Sequence, residues 1–346
     1  MIDNTTYITI DKHNQNMRVD IALSQTTEFS RSMIQKLIYA QNIKCDGMLV
    51  AKANFVTQVG QQYEITQMPA NIEHILPEKG ELEILFEDEH IIVLNKQAEL
   101  ITHPGAGNPN GTLINRLAYY VEQKKEALSD YNGAQRLGVV HRLDKGVSGC
   151  IILAKTNAAH VDLSKQFQER VIQKEYVAIC YGKMAQNVEP GCEYNGLMED
   201  YIGRATHDRK KMMCYKTIDD KTAFEKIEED DCALPTSHKH ATMNYKILEC
   251  FYLDSKHGFI SLVQCMPHTG RMHQIRVQLA SRKLPIIGDK LYGNKQNAAV
   301  CSLLGERIAL HARAIRFRHP ITMQEMYIET AAPGEFQKII AHVQGQ

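Results

Sequence analysis

Residues 138–149 read Gly-Val-Val-His-Arg-Leu-Asp-Lys-Gly-Val-Ser-Gly and set one carboxylate, Asp144, between two cations, Arg142 and Lys145. Small, turn-prone residues follow it. Apolar runs at 137–140 and 150–154 flank the segment, which predicts strand, exposed loop, strand. A loop held by two strands presents a reactive side chain on a rigid base. Asp144 is therefore the first candidate for chemistry, and a carboxylate can serve as nucleophile or base. An isolated Arg-x-Asp is more often a surface ion pair in a turn, so the assignment needs support from the rest of the chain.

Two other clusters complement it. Lys174-Glu175-Tyr176-Val177-Ala178 reads as a strand start that sets a phenol among apolar residues. A tyrosine has an apolar body and a polar tip, and can stack on a flat group while hydrogen-bonding. In residues 268–276, His-Thr-Gly-Arg-Met-His-Gln-Ile-Arg, Arg271 and Arg276 stand five apart and so do not share a helix face; one can point to phosphate while the other faces inward. His103 to Gly111 carries a GxGxxxG spacing, but it lacks a preceding apolar strand and contains Pro109, which excludes a dinucleotide loop. No Walker A, HExxH or nucleophile-elbow pattern occurs.

The elements that must position these groups are mixed. Met33, Ile34, Leu37 and Ile38 mark one face of a helix that Ser30 would cap, and Asp46-Gly47 predicts a hairpin turn between strands at 43–45 and 48–50. Residues 69–80, with two prolines, read as a connector. Beyond it, 84–86 and 91–94 flank an acidic turn. Residues 157–173 suit a helix with Val161, Leu163, Phe167 and Val171 on its inner face. Strands are expected at 176–181, 259–266 and 308–317, and helices at 271–282 and 334–343. Strands and helices lack regular βαβ alternation, so the fold class is α+β, with a mainly antiparallel sheet and flanking helices.

With 346 residues and 44% hydrophobic content, the chain can bury a large core and form more than one domain. No apolar stretch approaches a membrane span or an export signal, so a soluble, cytoplasmic protein is expected. Nine scattered cysteines without a CxxC pair read as reduced thiols, with no metal site expected. The formal net charge is zero, yet residues 265–320 hold ten Lys and Arg against two acidic residues. A second basic run includes Arg204, Arg209, Lys210, Lys211 and Lys216. An acidic insertion at about 219–240 balances the sum, so neutrality hides a cationic face.

Several of these residues occur in one order that resembles the A/D class of ribosomal pseudouridine synthases. They are His141-Arg142-Leu143-Asp144 with Ser148-Gly149, Lys174-Glu175-Tyr176, Gly270-Arg271 with His273-Gln274-Ile275-Arg276, Gly288-Asp289 with Tyr292-Gly293, and Leu310-His311-Ala312. Residues 18–66 are similar to an S4 RNA-binding domain through Arg18-Val19-Asp20, Ser30-Arg31-Ser32 and Asp46-Gly47. The resemblance implies a tail at 1–17, an S4-like α/β domain at 18–66, a linker at 67–80 and a catalytic domain at 81–346. Met272, Gln278 and Leu284 depart from the family pattern, as does the acidic insertion.

The implied reaction breaks the C1′–N1 bond of uridine, turns the base and joins C5 to C1′, which needs no cofactor or metal. Asp144 would attack C1′ or C6, or assist loss of the C2′ proton; the sequence does not choose. By the same resemblance Arg276 would pair with Asp144, Tyr176 would stack on or orient the uracil and assist proton removal at C5, and Arg142 would help extrude the uridine. RNA contacts would come from His141, Arg271, His273, Arg209, Lys210 and Lys211, and from Arg31 and Lys36 in the S4-like unit. The implied partner is 23S rRNA or the pre-ribosomal large subunit, at the helix 69 stem-loop, for a monomer that binds neither DNA nor membrane. Another rRNA or tRNA uridine, or a non-catalytic RNA-binding role in ribosome assembly, are the alternatives.

Overall fold

The computed structural model describes residues 5–27, 29, 31–66, 75–105, 107–131, 133, 136–183, 194–205, 208, 210–217, 224–226, 238–256, 258–293, 298–305 and 307–345. The chain divides into two compact units, Met1–Glu73 and His74–Gln346.

The first unit contains β1 (Thr5–Thr9), α1 (Val19–Thr26), α2 (Arg31–Tyr39), β2 (Ile43–Cys45), β3 (Met48–Leu49) and β4 (Gln62–Thr66). Its four strands form one antiparallel sheet in the order β1-β4-β2-β3. Residues 5–17, expected as a tail, are part of this fold: Thr6, Ile8 and the buried Ile10 alternate inward, and β1 pairs along β4. Helix α2 buries Ile34, Leu37 and Ile38 against Val19, Leu23, Tyr63 and Ile65, while Met33 turns outward. The expected hairpin is present. Asp46 and Gly47 have φ of 49° and 80°, the two positive angles of a type I′ turn. Ser30 and the side chain of Lys36 lie outside the described residues.

The second unit runs β5 (Ile84–Glu87), β6 (Ile91–Lys96), α3 (Leu113–Gln123), β7 (Ser148–Ala154), α4 (Asn157–Glu169), β8 (Gln173–Tyr181), β9 (Tyr194–Arg204), β10 (Met212–Thr217), β11 (Phe224–Lys226), β12 (His238–Asp254), β13 (Gly258–Pro267), α5 (Gln274–Ala280), α6 (Ala298–Leu304), β14 (Leu310–Arg318), β15 (Glu325–Glu329) and α7 (Gly334–Gln344). One sheet takes the order β11-β10-β9-β12-β13-β8-β14-β7-β6-β5, with β15 added to β14. Among the described residues its pairings are antiparallel except β14 with β7, so the architecture is α+β. Residues 91–94 of β6 and 150–154 of β7 are apolar without a break because both faces of these strands are covered. Ile92, Leu94, Ile151 and Leu153 pack on one side, and Ile91, Val93, Cys150 and Ile152 on the other. At the β7–β14 crossing only glycine fits position 149. Its φ is 115°, and a Cβ there would lie 2.1 Å from the Ala312 carbonyl oxygen.

The structure corrects four further expectations. Residues 137–140 form no strand. Val139 makes a single bridge to Leu153, and Gly138 exchanges hydrogen bonds with Ser129 and Ala154, so this stretch folds back over β7. The helix expected at 271–282 spans only Gln274–Ala280, because His273 takes a left-handed φ of 54° and leaves 271–273 as a loop. In α4, Val161 is exposed and the buried face is Ala159, His160, Leu163 and Gln166, since residues two apart, such as 161 and 163, cannot share a helix face; Val171, also exposed, lies beyond the helix end at Glu169. Residues 75–80 are not a free connector. Ile75 is buried, Asn115 Nδ2 donates to the Leu76 carbonyl, and the Glu78 amide donates to Asn115 O. Of the acidic insertion, 224–226 form β11 and 238–240 open β12; residues 219–223 and 227–237 lie outside the described residues.

Candidate active site

The loop that carries Asp144 is gripped on both sides of it. Thr102 Oγ1 donates to the Leu143 carbonyl at 2.9 Å. Lys96, fully buried at the end of β6, donates from Nζ to the carbonyls of Leu100 (2.7 Å), Gln97 (2.9 Å) and Lys145 (3.2 Å). Burial pulls the Lys96 ammonium down to about 7, against the opposing pull of Asp144 and Glu99. Where the loop enters β7, Ser148 Oγ accepts from Arg307 Nη2 at 2.6 Å and meets His311 Nδ1 at 2.8 Å on β14.

Arg276 on α5 reaches Asp144 Oδ2 from Nη1 at 3.1 Å. The same guanidinium donates through Nε and Nη2 to both oxygens of Asp289, at 2.7 and 2.9 Å. Asp289 is fully enclosed and also accepts from the amides of Leu291 and Tyr292. Burial opposes its ionisation, but Arg276 and those amides outweigh burial and hold the carboxyl below its usual range. Two oxygens thus fix the guanidinium plane and the third nitrogen orients Asp144. Asp144 keeps 31% side-chain exposure, and its Oδ1 has no hydrogen-bond partner among the described residues.

Asp144 opens onto a cavity of about 550 Å³ lined, among the described residues, by five cations, Arg142, Arg170, Lys174, Arg271 and Arg276, and by no other carboxylate. Lys174 and Tyr176 project into it from one face of β8, as residues two apart on a strand must. Glu175 points the other way, to Arg313 at 3.0 Å. Burial lowers Lys174 to about 8. Burial, and then the Asp144 charge, push the Tyr176 phenol up, so it stays protonated at neutral pH and suits stacking and donation better than proton removal. The loop 269–273 is tied to β12: Thr269 Oγ1 and the Arg271 amide donate to Gln274 Oε1, whose Nε2 donates to Thr242 O.

The cavity gathers Asp144, Tyr176, Arg276, His141, Arg142, Arg271 and His273. Not all of these offer a free polar end. His141 stacks on Phe167 and its Nε2 accepts the Ile152 amide at 3.0 Å. Burial, and then Lys174, push its pKa down to about 3, so it is a neutral ring that anchors the loop to β7. Arg271 spends Nε on the His240 carbonyl at 2.9 Å. Lys210 and Lys211 sit between β9 and β10 and do not line the cavity; Arg209 lies outside the described residues. In the first unit, Arg31 pairs with the buried Asp20 at 3.0 Å, half exposed.

Sequence reasoning missed Lys96, Arg170, and the roles of Asp289 and Tyr292. A lysine closing a strand that opens with four apolar residues is a legible signal, since a buried ammonium demands acceptors. Arg170 ends α4 with a left-handed φ of 61°, which no local pattern announced. The departures from the family pattern are accommodated: Gln278 is buried and donates to Asp200 at 2.7 Å, and Leu284 is buried in the core.

Residues 90–281 match a family model described as RNA pseudouridylate synthase. A ribosomal large subunit pseudouridine synthase D from Xylella fastidiosa is 32% identical over 333 residues, covering 94% of this chain and 88% of its own length. The protein of that name from Escherichia coli O157:H7 is 31% identical over 341 residues, with 96% and 92% covered. Among solved structures, human RNA pseudouridylate synthase domain containing 4 superposes with a TM-score of 0.54 at 22% identity, over 76% of this chain and 93% of that one.

Proposed function

The chain belongs to the RNA pseudouridylate synthase family, isomerases that turn uridine in RNA into pseudouridine, and from that premise we propose that its substrate is 23S rRNA in the large subunit or its precursor, at the helix 69 stem-loop. One observation carries the assignment of the site: a carboxylate, Asp144, with one oxygen held by a doubly anchored arginine and the other open to a cationic cavity. The names and near full-length coverage of the bacterial relatives support the rRNA substrate.

The target atoms of a stacked uridine are out of reach, so the nucleotide must leave the helix before it reacts. The cavity receives it; Arg142 at the exposed rim occupies the space the base leaves, and Tyr176 stacks on the uracil. Asp144 breaks the glycosidic bond, with Arg276 fixing its orientation. We further propose that the first unit is an S4-like RNA-binding domain, its Arg18 and Arg31 held outward by Asp20, and that the protein works as a cytoplasmic monomer without DNA or membrane partners. No described helix is long and apolar enough to cross a membrane.

Carbodiimide mapping of pseudouridine by primer extension, on RNA from cells with and without the gene, tests the substrate. Loss confined to the helix 69 loop is the expected result. Loss at another rRNA or tRNA uridine would keep the chemistry and reject the target. Asp144→Asn is expected to abolish product while RNA affinity persists; retained turnover would overturn the role of Asp144, and no product from the wild type on any RNA would leave a binding protein.

A further inference from the structure

His273 carries the second contact to Asp144, and its environment decides which ring nitrogen holds the proton. Its Nδ1 lies 2.9 Å from the Tyr292 hydroxyl, and that hydroxyl accepts the Met212 amide at 2.8 Å. A phenol offers one donor and limited acceptor capacity. If Tyr292 also accepted an Nδ1–H, its own proton would be left without an acceptor in a partly buried place, which is costly. The economical arrangement runs one way: Met212 N–H to Tyr292 O, Tyr292 O–H to His273 Nδ1. The neutral ring then carries its proton on Nε2. That nitrogen faces Asp144 Oδ2 at 3.9 Å, too far for a hydrogen bond, and no other acceptor takes it among the described residues. His273 also lines the cavity and is held in the left-handed region, where a β-carbon-bearing residue persists only if its surroundings enforce it.

Resting on the uridine reading above, we propose that His273 presents an Nε2–H donor to the uracil, and that Tyr292 is the positioning residue that fixes this tautomer. Whichever route Asp144 takes, the C1′–N1 bonding pair leaves with the base, and negative charge spreads over N1, O2 and O4. A fixed donor beside the carboxylate holds a carbonyl oxygen of that anion while the ring turns to offer C5 to C1′. Burial keeps the imidazole pKa low despite Asp144, in keeping with a neutral donor. The chain of bonds starts at Met212, the first residue of β10, directly after Lys210 and Lys211.

Long-range ¹⁵N–¹H spectra of the histidine rings in the full-length wild type, with His273→Gln to assign the signals, read the tautomer directly. Single-turnover and steady-state kinetics on an RNA stem-loop read its consequence. The expected results are a proton on Nε2, a fall of about tenfold in kcat at unchanged KM for Tyr292→Phe, and about 100-fold for His273→Ala. His273→Gln, whose amide N–H can replace Nε2–H, should recover much of that loss. A proton on Nδ1 in the wild type overturns the inference without any variant needing to fold. An active wild type with unchanged kcat in Tyr292→Phe overturns it alone; a wild type silent on every RNA overturns it together with the uridine reading.

Discussion

Asp289 does not line the cavity, yet the site is organised around it. Its two oxygens hold the guanidinium that orients Asp144, and its side chain is fully enclosed. Removing one partner of such a pair leaves the other charge under-compensated. Asp289→Asn is therefore expected to cost roughly 3 kcal/mol in denaturant unfolding, and to lower kcat because Arg276 is then free to rotate. The pair also sets a pH limit. The folded carboxyl titrates below its ordinary 3.8, so its contribution is complete above that value and is lost as pH falls through the lower, folded pKa. Acid titration of stability should show this limb in the wild type and a shallower one in Asp289→Asn; parallel curves would remove Asp289 from the account.

At the scale of elements, the loop that carries Asp144 owes its shape to what lies beneath it. Lys96 and Thr102 grip the carbonyls on either side of Asp144, so the end of β6 and the segment after it act as a clamp. Lys96→Met keeps most of the volume but leaves three carbonyls without their donor. A stability loss on the order of 3 kcal/mol is expected, together with a lower kcat at similar RNA affinity, measured by thermal unfolding and by kinetics on one stem-loop. The clamp also shows which parts of the design the sequence disclosed. Strands β6, β8, β13 and β14 and helix α7 were legible because apolar runs and turn residues mark them locally, and the gathering of Asp144, Tyr176 and Arg276 at one cavity because their motifs stand in family order. The loops were not. Residues 137–140 look like a strand, but their partners Ser129 and Leu153 are tertiary neighbours. The late start of α5 depends on the left-handed His273, and on Gln274 folding its side chain back onto Thr269. No periodicity encodes either contact.

At the scale of the whole molecule, each compact unit closes a core of its own, one around Val19, Leu23, Ile34 and Tyr63, the other along both faces of the long sheet. A fragment of residues 75–346 is expected to unfold cooperatively and to isomerise a short RNA stem-loop, with weaker RNA binding as the main deficit. Calorimetry and binding titrations against the full chain check this; an unfolded or inactive fragment would show that the units depend on each other. The sheet's centre has a temporal side as well. Strand β14 lies between β7 and β8, and its His311 meets Ser148 across 163 residues of chain. A polypeptide leaving the ribosome releases Asp144 long before Arg276, Asp289 or β14. Until residue 318 emerges, β7 and β8 lack the strand that joins them, and long-range pairing of this kind forms slowly. Synthesis therefore orders the assembly: while residues 310–318 are still to be made, the growing chain holds the Asp144 loop on an unfinished sheet.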